Sequence, residues 1–173
     1  MILYRIAKVS DAKQIAQIHY SVRHKHPLGI FSQMGFSFLK QYYRVILDDP
    51  YEIIICAENE KREIVGFNSG TLDANWQMNT LRRHKLSLGL AALGSIICNP
   101  RLIRPLIQRY KSTTKESNYQ FVYKEGARGD FWAWKPGDKN SLDAVALSLK
   151  ANAVFAALGV KSVSYTHLTL PTN

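Results

Sequence analysis

The spacing of hydrophobic positions along the chain changes between two periods, which predicts a fold that mixes strands and helices. Residues 2–9 alternate loosely between apolar and polar side chains and predict a first strand. Two stretches with a period of three to four residues follow and predict helices, the second ending at Asp48-Asp49-Pro50. The predicted inner faces of these helices are Ala12, Ile15, Ile18, His19 and Val22, and Phe36, Leu39, Tyr42, Tyr43 and Ile46.

The rest of the chain predicts a hairpin, a helical stretch, a central strand and a last helix. Residues 51–58 and 63–70 form a pattern typical of two strands joined by a polar turn, and helical spacing runs from 75 to about 111. The central strand is expected at Asp130–Trp134, with 119–124 as a partner or a loop. An apolar stripe predicts a third long helix that ends at Gly159, before a final strand over 160–165. The stripe consists of Leu142, Val145, Leu149 and Val154.

Length and composition favour one globular domain, which we expect to span residues 1–165. The 173 residues are 46% hydrophobic and 21% charged, which is ordinary globular usage and argues against a disordered chain. Cys56 and Cys98 lack metal-ligand spacing, so no metal is expected and both thiols are predicted to be reduced core residues. No secretory signal pattern opens the chain, which favours a cytoplasmic location.

Positive charge is concentrated in one segment of the chain. The formal net charge is +10, yet residues 74–115 hold eight Lys and Arg residues and no Asp or Glu. We therefore expect 74–117 to be a basic helical insert whose partner is anionic. The eight basic residues are Arg82, Arg83, Lys85, Arg101, Arg104, Arg109, Lys111 and Lys115.

An apolar run at 86–98 lies among these basic residues. Its thirteen residues are too few to cross a bilayer, which needs about 20. One interpretation is an interfacial helix that places 82–111 on an anionic membrane surface, with the protein peripheral at the membrane. The other is an insert packed on the protein with a solvated basic rim. Nucleic acid is not expected as a partner, because no binding motif or exposed aromatic pattern accompanies the charge.

Three segments of the chain resemble the GNAT acetyltransferase family. They are residues 4–19, residues 63–67, and the strand, loop, helix and strand from Asp130 to Tyr165. The resemblance implies an α/β domain with a mixed central sheet flanked by helices, here with a helical insertion between the third and fourth strands. It also implies an acyl-CoA-dependent N-acyltransferase that moves an acetyl group from acetyl-CoA, the co-substrate, to a small primary amine, for example an amino sugar.

The third segment resembles the cofactor loop of the family in an altered form. In the family, a loop of the form Arg/Gln-x-x-Gly-x-Gly/Ala and the following helix N-terminus hold the pyrophosphate of acyl-CoA. Here Lys139, Leu142 and Ala144 stand at those positions. Leu142 replaces the glycine and Asp143 adds a negative charge, so a capped helix without a ligand is the alternative. The implied cofactor-binding residues are Trp132, Ala133, Trp134, Lys139, Asn140, Ser141, Leu142, Asp143 and Ala144.

Candidate residues for amine chemistry lie near the central strand and the first helices. Asp130 and Glu125 are the carboxylates nearest to that strand in sequence and are candidate catalytic bases, with a solvated or capping role as the alternative. The family commonly forms its acceptor pocket between the first two helices. His19, Phe31 and Met34 are therefore candidate substrate contacts, and burial in the core is the alternative for all three.

The end of the chain departs from the family. A member continues into a further helix, often with a Tyr that protonates the leaving thiolate, and two more strands, whereas eight residues follow Tyr165. Residues 166–173, or those from about 164, resemble translated sequencing-adapter read-through, so we expect a C-terminally truncated, inactive fragment. The second hypothesis for function is a catalytically degenerate GNAT-fold binding module that docks on an anionic membrane or a partner through its basic helices.

Overall fold

A five-stranded mixed sheet forms the centre of the fold. The structure, a computed structural model, describes residues 1–25, 30–107, 126–137 and 141–165. Neighbouring strands run antiparallel except the last pair, which is parallel. The mixed sheet is confirmed, although the last strand is shorter than the predicted 160–165. In sheet order the strands are β1 (Leu3–Ile6), β2 (Glu52–Glu58), β3 (Ile64–Thr71), β4 (Arg128–Trp134) and β5 (Ser164–Tyr165).

Helices of the described residues connect these strands and cover both faces of the sheet. Short 3-10 turns lie at Val9–Asp11, Arg23–Lys25 and Pro100–Leu102, and residues 103–107 are also helical. The helices are α1 (Ala12–Ser21), α2 (Ile30–Gln33), α3 (Gly35–Leu47), α4 (Ala74–Arg83), α5 (Lys85–Cys98) and α6 (Ser141–Ala157).

α1 and α3 cover the face of the sheet that carries the candidate site. Their inner residues recur at helical spacing and are almost inaccessible to solvent, as the sequence predicts, apart from the half-buried Phe36. Asp48 follows α3 directly, so the predicted end of this helix is confirmed. The side chains at the centre of this core are Ile15, Ala16, Leu39, Tyr43, Ile46, Ile54, Cys56 and Phe67.

α6 covers the opposite face, but with a different stripe from the one that predicted it. Leu142, Val145 and Leu149 are exposed. The helix is apolar around its circumference, so spacing alone allowed two inner faces. The face with alanines is the buried one, because small side chains let the helix approach the sheet closely. The buried residues of α6 are Ala144, Leu147, Ala151 and Phe155.

The helical segment between β3 and β4 is divided in two places. His84 separates α4 from α5, a break that the hydrophobic spacing did not predict. Pro100 opens a new turn, as expected from its fixed backbone angle. Cys98 is exposed, so the prediction that both cysteines are core residues is wrong for this one. No helix among the described residues has the length and apolar character needed to cross a membrane.

An ion-pair network ties the edge of the sheet to the start of α1. The guanidinium of Arg5 in β1 donates to Glu58 of β2 and to Asp11, each at 2.6 Å. Asp11 also accepts from the backbone N–H of Lys8 at 2.8 Å. These bonds fix the direction in which the chain leaves β1 and enters the helix that covers the candidate site.

Candidate functional site

β4 has one residue more than β3 at its centre, and this bulge shapes the candidate site. Ser69 pairs with Phe131 whereas Gly70 pairs with Gly129, so Asp130 has no partner on β3. Asp130 follows Arg128 by two positions, so both side chains lie on the same face of β4. Nε of Arg128 donates to Oδ1 of Asp130 at 2.8 Å. The predicted catalytic residue Asp130 is thus half of a largely buried ion pair.

Gln77 of α4 joins this pair into a ring of hydrogen bonds. Its amide nitrogen donates to Oδ2 of Asp130, and its carbonyl oxygen accepts from Nη2 of Arg128. The position of α4 is set by its N-cap, because Asp73 accepts hydrogen bonds from two backbone N–H groups of the first turn. That start turns Gln77 toward the sheet, where it is almost fully buried.

Glu52 adds a second carboxyl group to the same face of the sheet. It begins β2 and lies opposite Thr71 of β3, which in turn lies opposite Arg128 of β4. Residues directly opposite on neighbouring strands project to the same side, so the three form a line across the sheet. All three side chains are buried.

The surroundings of Glu52 favour its protonated form. Burial raises the pKa of Glu52 well above its usual range, and the charges of Asp130 and Asp49 add to the shift. Gln77 and Arg128 act in the opposite direction. The amide of Gln77 is committed to Asp130, however, and neither carboxylate oxygen of Glu52 accepts a well-formed hydrogen bond from the described residues.

The cluster formed by Asp49, Glu52, Gln77, Arg128 and Asp130, here called the acidic cluster, has more carboxyl groups than cations. Within the cluster there are three carboxyl groups and one guanidinium, and that guanidinium is paired with Asp130. An excess of carboxylate in a site of low dielectric constant attracts a cationic group and lets one carboxyl keep its proton near neutral pH. The ionised carboxylates can therefore attract an ammonium group, and Glu52 can accept a proton when it is itself ionised.

His19 connects α1 to the central strand beside the acidic cluster. Its Nδ1 lies 2.7 Å from the hydroxyl of Tyr43, and its ring stacks on Phe131 with centroids 3.8 Å apart. Burial, followed by the neighbouring Tyr42 and Asp130, raises the pKa of Tyr43 well above its usual value, so this hydroxyl stays protonated. His19 is buried, as its alternative interpretation holds, yet it contacts the residue after the bulge.

Phe31 and Met34, the other two candidate substrate contacts, pack in the main hydrophobic core. The ring of Phe31 stacks on Tyr42 and Phe38, with centroid distances of 5.0 and 5.7 Å. Met34 is buried in the core. Their packing matches the alternative interpretation, in which both fill the core, and their proposed role toward a substrate stays a prediction.

The described part of the predicted cofactor loop is the first turn of α6. Leu142 is 82% exposed, and Ala144 faces the sheet. Asp143 accepts a hydrogen bond from the hydroxyl of Tyr4 at 2.9 Å. Burial and this bond raise the pKa of Tyr4 to about 12. The carboxylate of Asp143 is thus engaged by β1, so the negative charge in this turn has a partner within the protein.

The other predicted cofactor residues are on β4 or outside the described residues. Trp132 is partly exposed, whereas Ala133 is buried under α1 and α3. Trp134 lies on the α6 side, where its ring covers Gly66 of β3. The predicted residues Glu125, Lys139 and Asn140 lie outside the described residues.

Metal sites and grooves among the described residues are the other features that could form a site for amine chemistry. No group of His, Cys, Asp and Glu side chains among the described residues is arranged to hold a metal ion. A shallow groove of about 500 Å³ lies between α1, α3 and α5, but it contains no carboxylate. Its lining residues are Tyr20, Arg23, His24, Gln33, Gly35, Ser95, Cys98 and Asn99.

Comparison with known proteins gives a likeness of fold. The chain matches no protein-family model and no curated protein by sequence. A ribosomal-protein-alanine N-acetyltransferase from Brucella melitensis is similar over 99% of this chain and 83% of its own, with 10% identity and a TM-score of 0.52. An aminoglycoside N-acetyltransferase in complex with CoA is similar over 98% and 78%, with 7% identity and a TM-score of 0.54.

A third solved structure, a mutant of the BH1408 protein from Bacillus halodurans, is similar over 96% of this chain and 83% of its own. The identity is 8% and the TM-score 0.55. The chain has the GNAT acyl-CoA N-acyltransferase fold. The fold class implied by the sequence resemblance is therefore confirmed.

Sequence reasoning missed most of the acidic cluster. The sequence indicates Asp130, because it is one of the carboxylates nearest to the central strand. Glu52, Gln77 and Arg128 come from three separate elements, and only the strand register and the N-cap of α4 bring them together. One signal was available, because Glu52 opens an otherwise apolar strand, and a carboxyl group at such a position needs a specific reason.

Proposed function

We propose that the protein is an acyl-CoA-dependent N-acyltransferase that transfers an acetyl group from acetyl-CoA to a primary amine. The observation that carries this proposal is the acidic cluster at the bulge of the central strand in a GNAT fold. Because many functions can share one fold, the side chains at the bulge support the proposal more directly than the likeness of fold.

The reaction requires the amine nitrogen to attack the thioester carbonyl carbon. The C–N bond forms, the C–S bond breaks, CoA leaves as a thiolate, and the proton that the nitrogen loses ends on the thiolate, directly or through water. The ammonium form of the acceptor must first lose another proton. A carboxylate with a raised pKa is a stronger base than an ordinary one, and we assign this proton transfer to Glu52.

Asp130 and Arg128 have a different role in the proposal. The charge of Asp130 raises the pKa of Glu52 and that of Arg128 opposes it, and their ion pair fixes both side chains beside Glu52. The extra residue of a bulge has no partner on the neighbouring strand. Backbone N–H groups near residue 130 are therefore candidates to stabilise the thioester oxygen. Asp130 is thus a positioning residue, and Glu52 replaces it as the proposed base.

The thioester itself is proposed to lie along the outer part of β4, with its diphosphate at the N-terminus of α6. Backbone N–H groups at a helix start, together with the helix dipole, favour phosphate. The exposure of Leu142 supports this placement, because its side chain is not packed on the protein. The hydrogen bond from Tyr4 also supports it, because it holds the carboxylate of Asp143 toward β1.

An amino sugar remains the proposed acceptor. The excess of carboxyl groups suits an ammonium group. Among proteins of similar fold are aminoglycoside acetyltransferases and a fungal glucosamine N-acetyltransferase region. Thiol release from acetyl-CoA, measured with glucosamine, with an N-terminal alanine peptide and with a polyamine, tests this choice.

The deciding experiment is calorimetry of the 173-residue chain with acetyl-CoA. Thiol release in the presence of amines is then measured for this chain and for the protein expressed from its uninterrupted gene, so that an inactive fragment is distinguished from an inactive enzyme. We expect Glu52→Gln to bind acetyl-CoA like the wild type but to lose most of its turnover, since only the proton acceptor is removed. Absence of acetyl-CoA binding by a folded chain would overturn the enzyme proposal and favour the catalytically degenerate binding module. Full turnover by Glu52→Gln would remove Glu52 from the mechanism while leaving the reaction in place.

A further inference from the structure

α5 has two faces of different character, and only one of them packs on the protein. Ala92 is buried in the main core, with Leu88 and Ile96 packed against that core. On the same side, the hydroxyl of Ser95 donates to the backbone carbonyl of Met34 at 2.6 Å. These contacts fix the rotation of the helix on α3.

The opposite face of α5 is an exposed aliphatic stripe. It consists of Leu86, Leu90, Leu93 and Ile97, spaced by four, three and four residues. At about 100° per residue these four side chains fall within roughly 60° of the helix circumference. Leu86, Leu90 and Ile97 are 76%, 70% and 75% exposed, so they contribute almost nothing to the core. Ile103 and Ile107 continue the exposed aliphatic surface beyond Pro100.

Basic residues border this stripe at both ends. Arg83 and Lys85 precede it, and Arg101 and Arg104 follow it, all four exposed. The sequence from 74 to 107 contains no Asp or Glu to balance them. A surface with leucines at its centre and one sign of charge at its ends requires a partner that is both apolar and anionic.

We propose that α5 lies in the interface of an anionic membrane, with the exposed aliphatic stripe among the acyl chains and the four basic residues on the headgroups. The helix has 14 residues and is about 21 Å long, which is short of a bilayer span but suited to lying in the membrane plane. This surface is on a different element from the acidic cluster, so the proposal does not depend on acyl transfer.

The charge distribution argues against the other occupants. A symmetric dimer would bring the same patch of a second copy onto this one, so that like charges would approach each other. A nucleic acid would meet the basic residues, but the leucines between them would face phosphates. A lipid surface satisfies both parts of the patch, because its headgroups and acyl chains lie at different depths.

Sedimentation of the full chain with lipid vesicles tests the proposal. The vesicles are phosphatidylcholine alone or phosphatidylcholine mixed with phosphatidylglycerol, each at low and high salt. We expect binding to the mixed vesicles that weakens in high salt. The double variant Leu90→Gln with Ile97→Gln should bind at least about tenfold more weakly. Leu149→Gln, which replaces an exposed leucine of α6 on the other side of the sheet, is the matched control and should bind normally.

The charge contribution is tested with Arg101→Gln and Arg104→Gln, each expected to weaken binding about fivefold. Lys150→Gln on α6 is their control. Thermal melting of every variant shows whether the fold is kept. Equal pelleting with neutral and anionic vesicles, or normal binding by the folded Leu90→Gln, Ile97→Gln variant, would overturn the proposal. So would self-association of the wild type that the same variant abolishes in the absence of lipid.

Discussion

The guanidinium of Arg128 donates to the carboxylate of Asp130 at 2.8 Å, and the two residues are two positions apart, so their side chains share one face of β4. The bulge opposite Ser69 and Gly70 leaves Asp130 without a partner on β3. The positive charge of Arg128 is paired with Asp130, and a second donor of the guanidinium, on Nη2, goes to Gln77. Glu52 shares the same face without a guanidinium of its own, and this difference underlies the first two predictions.

Arg128→Met should destabilise the protein by about 3 kcal/mol at neutral pH, because it leaves the largely buried carboxylate of Asp130 without its partner. Urea unfolding monitored by tryptophan fluorescence measures the change. Lys150→Met, on the exposed surface of α6, is the control and should change the free energy of unfolding by no more than about 0.5 kcal/mol. If both variants lose the same small amount, the ion pair does not stabilise the fold.

Glu52→Gln should remove a pH dependence of stability. The pKa of Glu52 is raised in the folded protein, so the native state keeps a proton that the unfolded chain has lost. Wild-type stability must then fall as pH rises above the ordinary carboxyl pKa toward the folded one. Across that window the neutral amide should make the variant more stable than the wild type by about 1–3 kcal/mol at the upper end.

Urea unfolding of Glu52→Gln and wild type across a pH series provides this measurement. Glu63→Gln replaces a carboxyl group on an exposed turn and is the matched control. Parallel stability curves for wild type and Glu52→Gln would show that Glu52 is not protonated in the folded protein.

The sequence was sufficient for most of the fold because the fold depends on periodicity. Ile15 and Leu39 are buried because they lie on the apolar faces of helices that pack on the sheet, and Ile54 is buried on the face of the sheet that they cover. The spacing of apolar residues in the sequence identifies these faces. α6 was different, since it is apolar all round, and only packing distinguishes Leu147, which faces the sheet, from Leu149, which does not. The site depends on register: a shift of one residue between β2 and β3 would have moved Glu52 to the other face.

Gly66→Ala should destabilise the protein by about 1–3 kcal/mol through overpacking. A Cβ atom at Gly66 would lie 2.3 Å from the ring of Trp134, too close for both to stay in place. The loss should be much smaller in a Trp134→Leu background, which opens that space. A double-mutant cycle of unfolding free energies measures this coupling.

Gly94→Ala is the control for that cycle, since a Cβ at this helical position meets no atom within 4 Å. Here alanine should stabilise α5 by about 0.5–1 kcal/mol, because glycine loses more backbone entropy on folding. If Gly94→Ala were destabilising, alanine would be harmful at glycine positions even where space is available. The effect of Gly66→Ala could then not be assigned to overpacking against Trp134.

Asp11→Asn should destabilise the protein at neutral pH by about 1–3 kcal/mol, with the deficit shrinking in acid. Burial acts to raise the pKa of Asp11, but hydrogen bonds from Arg5 and from the Lys8 backbone outweigh it and leave the pKa lowered. A lowered folded pKa contributes stability that is present above the unfolded pKa and is lost as pH falls through the folded value. Acid titration of wild type, Asp11→Asn and the exposed control Asp48→Asn would reveal a constant difference if the ion pair were unimportant.

Leu142→Gly should strengthen binding of acetyl-CoA if the diphosphate lies at the N-terminus of α6. The side chain is 82% exposed in the first turn of this helix, so its removal opens the approach to the backbone N–H groups without creating a cavity. Lys139→Ala should weaken binding by about 1–2 kcal/mol, since one charge-assisted contact is lost.

Leu149→Gly is the matched control for Leu142→Gly. It removes another exposed leucine of α6 and costs about 1 kcal/mol of helix stability without touching the first turn. Calorimetric titration of the three variants with acetyl-CoA decides the question. If Leu142→Gly and Leu149→Gly change the dissociation constant equally and Lys139→Ala leaves it unchanged, the diphosphate binds elsewhere on the protein.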